Sequence, residues 1–276
     1  MLDPEEVAQQ YRCPDNLQAR IALHRRYSRN PYPWFHWLFD NLLEHLPDSA
    51  PLDILELGCG SGQLWQDNLP KLPAHWRVTL SDTSAAMLAT AQQALPARRF
   101  RFATINAEQL SLAPASVDVI IANHMLYHLS DVPAALEAIA RSLRPQGCLF
   151  AATNGEDNML ELAQALDQAF APCPAAQRPH DPRQATARFT LENGLPLLEP
   201  HFEQLQRYDY PDALEVDDVA VLMAYVRSLQ TKTLEESSCF DAAMARLEAI
   251  FQAERQAAGQ VHIRKYSGLL QACHPR

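Results

Sequence analysis

The chain contains no apolar run approaching the ~18 residues a membrane-spanning helix needs. Its opening residues, MLDPEEVAQQYRCPDN, lack a basic stretch followed by an apolar one, so no secretory signal is expected and the cytoplasm is the default compartment. Cationic charge is also short: 23 Lys and Arg face 33 Asp and Glu, for a formal net charge of −10. Such a surface repels a phosphate backbone, and the basic stretches Arg20 to Arg29 and Arg98 to Arg101 are short enough to read as solvated faces or local ion pairs. Neither nucleic acid nor a membrane is an expected partner. None of the six cysteines (Cys13, Cys59, Cys148, Cys173, Cys239, Cys273) forms a C-x-x-C, and their wide spacing favours buried or incidental thiols over a disulfide framework or a zinc site. His124 and His128 have i,i+4 spacing, but Met125 stands where a zincin carries glutamate, so no metal is expected.

What the chain does have is material for a core, with 47% hydrophobic and 20% charged residues. Residues 31–46 carry Trp34, Trp37, Leu38, Leu42 and Leu46 at helical spacing. A turn at Pro47-Asp48-Ser49 then leads into strands at 52–57, 76–81, 100–105, 117–122 and 148–153. Helices at 62–71, 84–95 and 131–143 alternate with them. This alternation predicts a parallel sheet covered on both faces. Beyond Thr153 come a helix at 156–171, an extended loop from Pro172 to Arg188 broken by four prolines, and a strand from Phe202 to Tyr210. Helices at 216–229 and 237–257 and a last strand from Val261 to Ala272 complete the chain. The expected fold is a doubly wound, mostly parallel seven-stranded α/β sheet with a helical insertion before the last strand. No linker splits the sequence, so a single domain over 1–276 is expected: a helical segment at 1–47, a core at 48–155 and a helical cover at 211–258.

Glycine is scarce, at 8 residues, yet Gly58, Gly60 and Gly62 fall within five positions, directly after one strand and before a helix. Glycine there permits positive φ and close approach of the backbone to a ligand, while the start of the helix offers unpaired N–H groups to an anionic group. A dinucleotide fingerprint requires glycine at position 63, which is Gln63. The pattern present is E-x-G-x-G-x-G, beginning at Glu56. Asp82, 20 positions after Gly62, ends the second strand, where a carboxylate can accept both hydroxyls of a ribose.

ILELGCGSG resembles the first motif of class I S-adenosylmethionine-dependent methyltransferases, and VTLSDTSAAML and INAEQL resemble the second and third. VDVIIANHMLYHL and LRPQGCLFAATNG complete a series in the right order over residues 52–155. It is similar to the branch holding ubiquinone-biosynthesis enzymes and many small-molecule methyltransferases. The resemblance implies S-adenosyl-L-methionine as cofactor, held by Glu56, Gly58, Cys59 and Gly60 of the first motif. It implies Asp82 and Thr83 at the ribose, Met87 against the adenine, Asn106 at its amino group, and the backbone of Ala107 or Glu108 at its ring. Asn106 replaces the aspartate of many relatives, so that contact is a neutral amide rather than charge-assisted. Gln146-Gly147 replaces a frequent Gly-Gly and reads as a turn variation. The N/D/S-P-P-Y/F motif of nucleic-acid amine methylation is absent after strand four.

Methyl transfer from a sulfonium asks mainly for in-line positioning and exclusion of water. Ligands of parallel sheets sit at the carboxyl ends of strands, which places Asn123, His124, Tyr127 and His128 at the site. His128 is the first candidate for base or substrate orienter, since an imidazole titrates near neutral pH; the rival reading makes it the cap of a helix beginning near Ser130. Tyr127 is a candidate pocket wall, and Asn123 and His124 are candidate cofactor contacts. Related enzymes often close the pocket with their N-terminal segment, which puts Tyr27 at the methionine end of the cofactor. The function expected is methyl transfer to an O, N or C atom of a small metabolite. Its rivals are a cofactor-binding protein with a non-methylating reaction or an assembly role and, further off, an NAD-dependent oxidoreductase. The helical stripes of 211–258 are expected to cover the acceptor, with a homodimer interface as the alternative.

Overall fold

The computed structural model describes residues 23–48, 50–179, 181–229 and 237–276. Cys13, Arg20 and the polar opening stretch lie outside the described residues, as do Ser49 of the expected turn and His180 of the proline-rich loop. The chain runs through α1 (Trp34–His45), β1 (Leu52–Leu57), α2 (Gln63–Asn68), β2 (Trp76–Asp82), α3 (Ala85–Ala94), β3 (Phe100–Thr104) and β4 (Val117–Asn123). Next come α4 (Val132–Ser142), β5 (Leu143–Asn154), α5 (Leu160–Phe170) and a short α6 (Gly194–Leu198) that periodicity had not revealed. The last elements are β6 (Phe202–Val216), α7 (Val219–Ser228), α8 (Phe240–Ala258) and β7 (Val261–Pro275). Among the described residues no helix is long and apolar enough to cross a membrane.

The seven strands form one sheet in the order β3-β2-β1-β4-β5-β7-β6. Strands β1 to β5 pair in parallel and β7 runs antiparallel to β5. Both β6 and β7 run further than expected. Pro211 looked like the end of a strand but lies inside β6, the edge strand, where proline is tolerated. Gly147 is likewise not in a turn: it lies within β5, beside an irregularity of the β4–β5 register.

Two compact units divide the chain, one of residues 1–31, 157–185 and 211–266, the other of 32–156, 186–210 and 267–276. No linker marks the division because the chain passes between the units five times, at 31/32, 156/157, 185/186, 210/211 and 266/267.

The first unit is built on α5, α7 and α8. Leu162, Leu166 and Phe170 of α5 share one buried cluster with Val219, Met223 and Val226 of α7 and with Phe240, Ala243, Met244, Leu247 and Phe251 of α8. Both predicted stripes are thus covered within the chain, and neither demands a second subunit. Val216, expected to open the helix at 216–229, instead ends β6. Residues 28–30 are tied to β6 by Asp212, whose buried carboxylate takes the Lys265 ammonium at 2.5 Å, the Ser28 hydroxyl and the Arg29 and Asn30 N–H groups. Burial pushes the pKa of Asp212 up, but those donors outweigh it and hold the carboxyl below its ordinary value.

The second unit carries the parallel strands. In α1 the buried face is Leu38, Phe39 and Leu42, with Trp34 and Trp37 half-buried beside them. Asn68, 1% exposed, fastens α1 to α2 by donating to Phe35 O at 2.9 Å and Leu64 O at 2.8 Å, while its Oδ1 meets His36 Nδ1 at 2.9 Å. At the amino ends of the strands, Arg77 grips Asp53 with two bonds of 2.6 and 2.8 Å. Arg144 bridges Asp53 and Asp118 from the other side. The Arg77 hydrogen bond, seconded by Arg144, holds the Asp53 carboxyl down at about 2 against the effect of burial.

The cysteines correct the sequence reading. Cys148 and Cys273 stand opposite each other in the β5–β7 ladder and are bridged, and Cys173, just after α5, is bridged to Cys239 at the start of α8. Their separations of 125 and 66 residues explain why linear spacing hid the pairs. Disulfides persist in oxidising surroundings, so composition no longer argues for the cytoplasm. Cys59 is a free, buried thiol. Among the described residues four cysteines are bridged and Cys59 is free, so unfolded protein should gain four titratable thiols when reductant is added. Reduction should also lower stability by about 2–4 kcal/mol per bridge. Six thiols before reduction would overturn both pairings.

Candidate functional site

In the second unit, the carboxyl ends of β3, β2, β1 and β4 stand side by side in that order. The chain leaves β1 in both directions across the sheet, to β2 on one flank and β4 on the other, and this reversal is where open parallel sheets take their ligands. Gly58, Gly60 and Gly62 follow β1 with φ of 66°, 54° and 78°. A Cβ on Gly58 would come within 3.0 Å of the Met125 side chain, and one on Gly62 within 2.9 Å of Leu95. At Gly60 no atom lies within 4 Å of the Cβ position, so that glycine faces open space. The helix that follows, α2, has only six residues, so its dipole adds less to an anion site than the sequence suggested.

Asp82 ends β2 with one carboxylate oxygen accepting the Gly60 N–H at 2.9 Å and the other accepting the Ser84 N–H at 2.8 Å. Ser84 caps α3 by accepting the Met87 N–H at 3.3 Å, which fixes Met87 on the first turn beyond exposed Thr83. After β3, Asn106 turns its Oδ1 onto the Glu108 N–H at 3.0 Å, Ala107 is buried, and Glu108 accepts the Ser130 N–H at 2.5 Å. Asn123 ends β4. His124 follows with φ 53°, a left-handed conformation uncommon for a residue with a side chain, held by its N–H bond to Ala152 O at 3.0 Å.

Residues 126–128 form a 3-10 turn rather than part of an α-helix, so the i,i+4 spacing of His124 and His128 does not put them on one helical face. The Tyr127 ring centroid lies 6.3 Å from that of His124 and 4.5 Å from that of His128. The helix-cap reading of His128 is overturned, because Asp131 caps α4 by accepting the Ala134 N–H at 3.0 Å. By surface area His128 is exposed, yet enough protein surrounds its ring to desolvate it; a position at the rim has both properties. That desolvation, and then the charge of Arg188, lowers the imidazole pKa and keeps the ring neutral at pH 7. Arg188, half-buried, donates to Leu129 O at 3.3 Å. It stands 60 positions beyond His128 and no local motif marks it.

Two expected cofactor residues are buried. Tyr27 belongs to the buried core of the first unit, 7% exposed, and its pKa is raised by burial and by nearby Asp217. Glu56 is 2% exposed inside β1, and its Oε2 accepts the Trp65 indole N–H of α2 at 2.6 Å. Burial, reinforced by Asp82 and opposed by the Trp65 bond, pushes its pKa up to about 7. Burial also pushes the Cys59 thiol up, with Glu56 and Asp82 adding to it, so Cys59 offers no thiolate.

A model of the methyltransferase domain matches residues 55–151. A trans-aconitate 2-methyltransferase of Azoarcus sp. is 30% identical over 215 residues, which are 76% of this chain and 80% of that relative. The chain belongs to the class I S-adenosylmethionine-dependent methyltransferases. A malonyl-[acyl-carrier protein] O-methyltransferase of Xylella fastidiosa is 28% identical over 197 residues, 70% of this chain, and the chain spans 63% of that relative's length. Among solved structures, a Haemonchus contortus phosphoethanolamine N-methyltransferase 2 with S-adenosylhomocysteine superposes with TM-score 0.58 at 14% identity. That match covers 100% of this chain and 61% of the other, and it bears on the fold alone.

The methyltransferase's residues fit the family's cofactor. Open space at Gly60 accommodates a ligand against bare backbone. A carboxylate has about four acceptor positions, so after Gly60 and Ser84 Asp82 retains two, one for each ribose hydroxyl. S-adenosylmethionine is the cofactor of this family.

The state of Glu56 gives a pH prediction. Its folded pKa, about 7, lies above the ordinary 4.5, so below 4.5 both folded and unfolded chains hold the proton and no difference arises. As pH rises from 4.5 to 7 only the folded chain keeps it, and stability should fall by about 3 kcal/mol in total, then level off. Glu56→Gln keeps an acceptor for Trp65 without the charge, and should flatten that fall in urea titrations between pH 5 and 8. A profile equally steep in the variant would show that Glu56 does not carry the linkage.

Proposed function

We propose that this chain transfers a methyl group from S-adenosylmethionine to a carboxylate oxygen of a small or carrier-linked organic acid. The observation that carries the reading is Arg188, a guanidinium beside a neutral imidazole, His128, at the carboxyl end of the parallel strands. A guanidinium matches a carboxylate in charge and fork geometry, and a neutral imidazole can donate a further hydrogen bond. The malonyl and trans-aconitate acceptors named for two relatives are acids as well, which supports the same class.

A carboxylate changes what the site must do. It is ionised at pH 7, so no proton has to be removed before attack and His128 serves as an orienter rather than a base. When bound, S-adenosylmethionine supplies an electrophilic methyl on a sulfonium. In the transfer the carboxylate oxygen forms the new O–CH3 bond, the S–CH3 bond breaks, and its electron pair stays on sulfur as a neutral thioether leaves. Arg188 fixes the carboxylate in line, while Tyr127, buried between His124 and His128, helps exclude water.

The test uses a tritium-labelled methyl donor with trans-aconitate, a malonyl thioester and a panel of amines and phenols. Acids should be labelled, and Arg188→Ala should raise KM for them about 10- to 100-fold, as the loss of a charged hydrogen bond implies. His128→Ala should reduce kcat far less than the ~100-fold expected of a lost general base. Labelling of amines or phenols alone would defeat the proposal.

A further inference from the structure

Trp34 opens α1 immediately after Pro33, and its ring centroid lies 5.1 Å from that of His124. It also packs 5.2 Å from Trp37 and 5.1 Å, edge-on, from Tyr210. A continuous row of rings results, Trp34, His124, Tyr127, His128, with successive centroid distances of 5.1, 6.3 and 4.5 Å. Arg188 stands at one end of the row, donating at 3.3 Å to the carbonyl of Leu129, the residue after His128. Trp34 stands at the other.

Among the described residues, the buried indole Nε1 of Trp34 has no hydrogen-bond partner. The Oδ1 of Asn123, the residue before His124, is buried in the same state. A buried donor without an acceptor is destabilising, and in a site it points to a partner that arrives with the ligand. Trp76 also has an unpartnered Nε1, but it begins β2, at the amino edge of the strands and away from the ligand end. Trp65 shows the usual arrangement, with its N–H on Glu56. Only Trp34, among these three, combines an unmet donor with a place against the left-handed residue that follows β4.

We propose that Trp34 is a specificity-determining residue, donating its indole N–H to a second oxygen of the acid acceptor while Arg188 holds the carboxylate at the other end of the ring row. This rests on the carboxylate reading above and sharpens it: the acceptor is a diacid, or an acid with a distal ester or thioester carbonyl, rather than a simple monocarboxylate. The rings between the two ends suit an apolar or unsaturated body, which stacks on flat faces without needing hydrogen bonds.

The experiment compares dicarboxylic acids of four to six carbons with monocarboxylic acids of equal length, in the wild type and in Trp34→Phe. Benzothienylalanine at position 34, which keeps the shape of the indole but has no N–H, serves as the second variant should phenylalanine disturb packing. S-adenosylhomocysteine affinity is measured in parallel by calorimetry. The wild type should favour the diacid, and both variants should lose about tenfold of that preference through KM for the diacid, with saturating kcat moving much less. S-adenosylhomocysteine should bind each variant as it binds the wild type. Weakened S-adenosylhomocysteine binding with the diacid preference intact would assign the indole to the donor and overturn the proposal. Unaltered preference in both variants would overturn it too. A wild type that labels no acid at all would overturn the carboxylate reading itself, and this inference with it.

Discussion

The site depends first on the carboxylate of Asp82. By receiving the N–H of Gly60 on one oxygen and the N–H of Ser84 on the other, it ties the turn after β1 to the start of α3. The three glycines make the turn flexible in the unfolded chain, and a single acceptor spanning two backbones restricts it to one shape. The consequences run outward. Ser84, held by Asp82, caps α3 and sets Met87; Gly60, held by Asp82, leaves an open face beside the acid. A cofactor can then bind to a turn already ordered, and little of its binding energy goes into shaping the protein.

Beneath that turn lies a second constraint of opposite character. Glu56 is a carboxyl inside a fully packed strand, and burial would make its charge costly without the Trp65 bond. At pH 7 it sits near its midpoint, so the carboxyl under the cofactor turn carries its proton in about half the molecules. In the sequence, Glu56 looks like a ligand contact because it begins the first motif. In the structure its partner is Trp65, and what it positions is α2. The motif therefore combines a residue that faces the ligand side with one that supports the floor.

How far the sequence could be read follows the distance over which each interaction acts. Strands β1 to β4 and the Asp82 carboxylate were legible because strand periodicity, glycine and acid all lie within one or two elements of each other. The disulfides were not, since only the β5–β7 ladder brings Cys148 to Cys273 and only the helical packing brings Cys173 to Cys239. The division into two units escaped for a similar reason, as a boundary crossed five times leaves no composition change at any single point. Arg188 follows a proline-rich loop and carries no motif, so its role rests entirely on where the fold returns it. Trp34 was visible as a helix-face aromatic, but its unmet N–H was not, because a hydrogen bond that is absent has no sequence signal.

The net charge of −10 and an anionic acceptor are in apparent conflict. At physiological ionic strength, however, charges more than about 8 Å apart are largely screened, so the total matters less than the groups within one screening length of the acceptor. There the balance is local. Arg188 supplies a fixed positive charge, and it adds to the desolvation that chiefly keeps His128 neutral. In the proposed site, one guanidinium and one neutral imidazole would together bind an anion without building a site so positive that a neutral methyl ester would be held by charge. Esterification removes the acceptor's charge at that end, and with it the main attraction to Arg188. The same contact that orients the proposed substrate thus weakens once the methyl has moved, which favours release of the product over its retention.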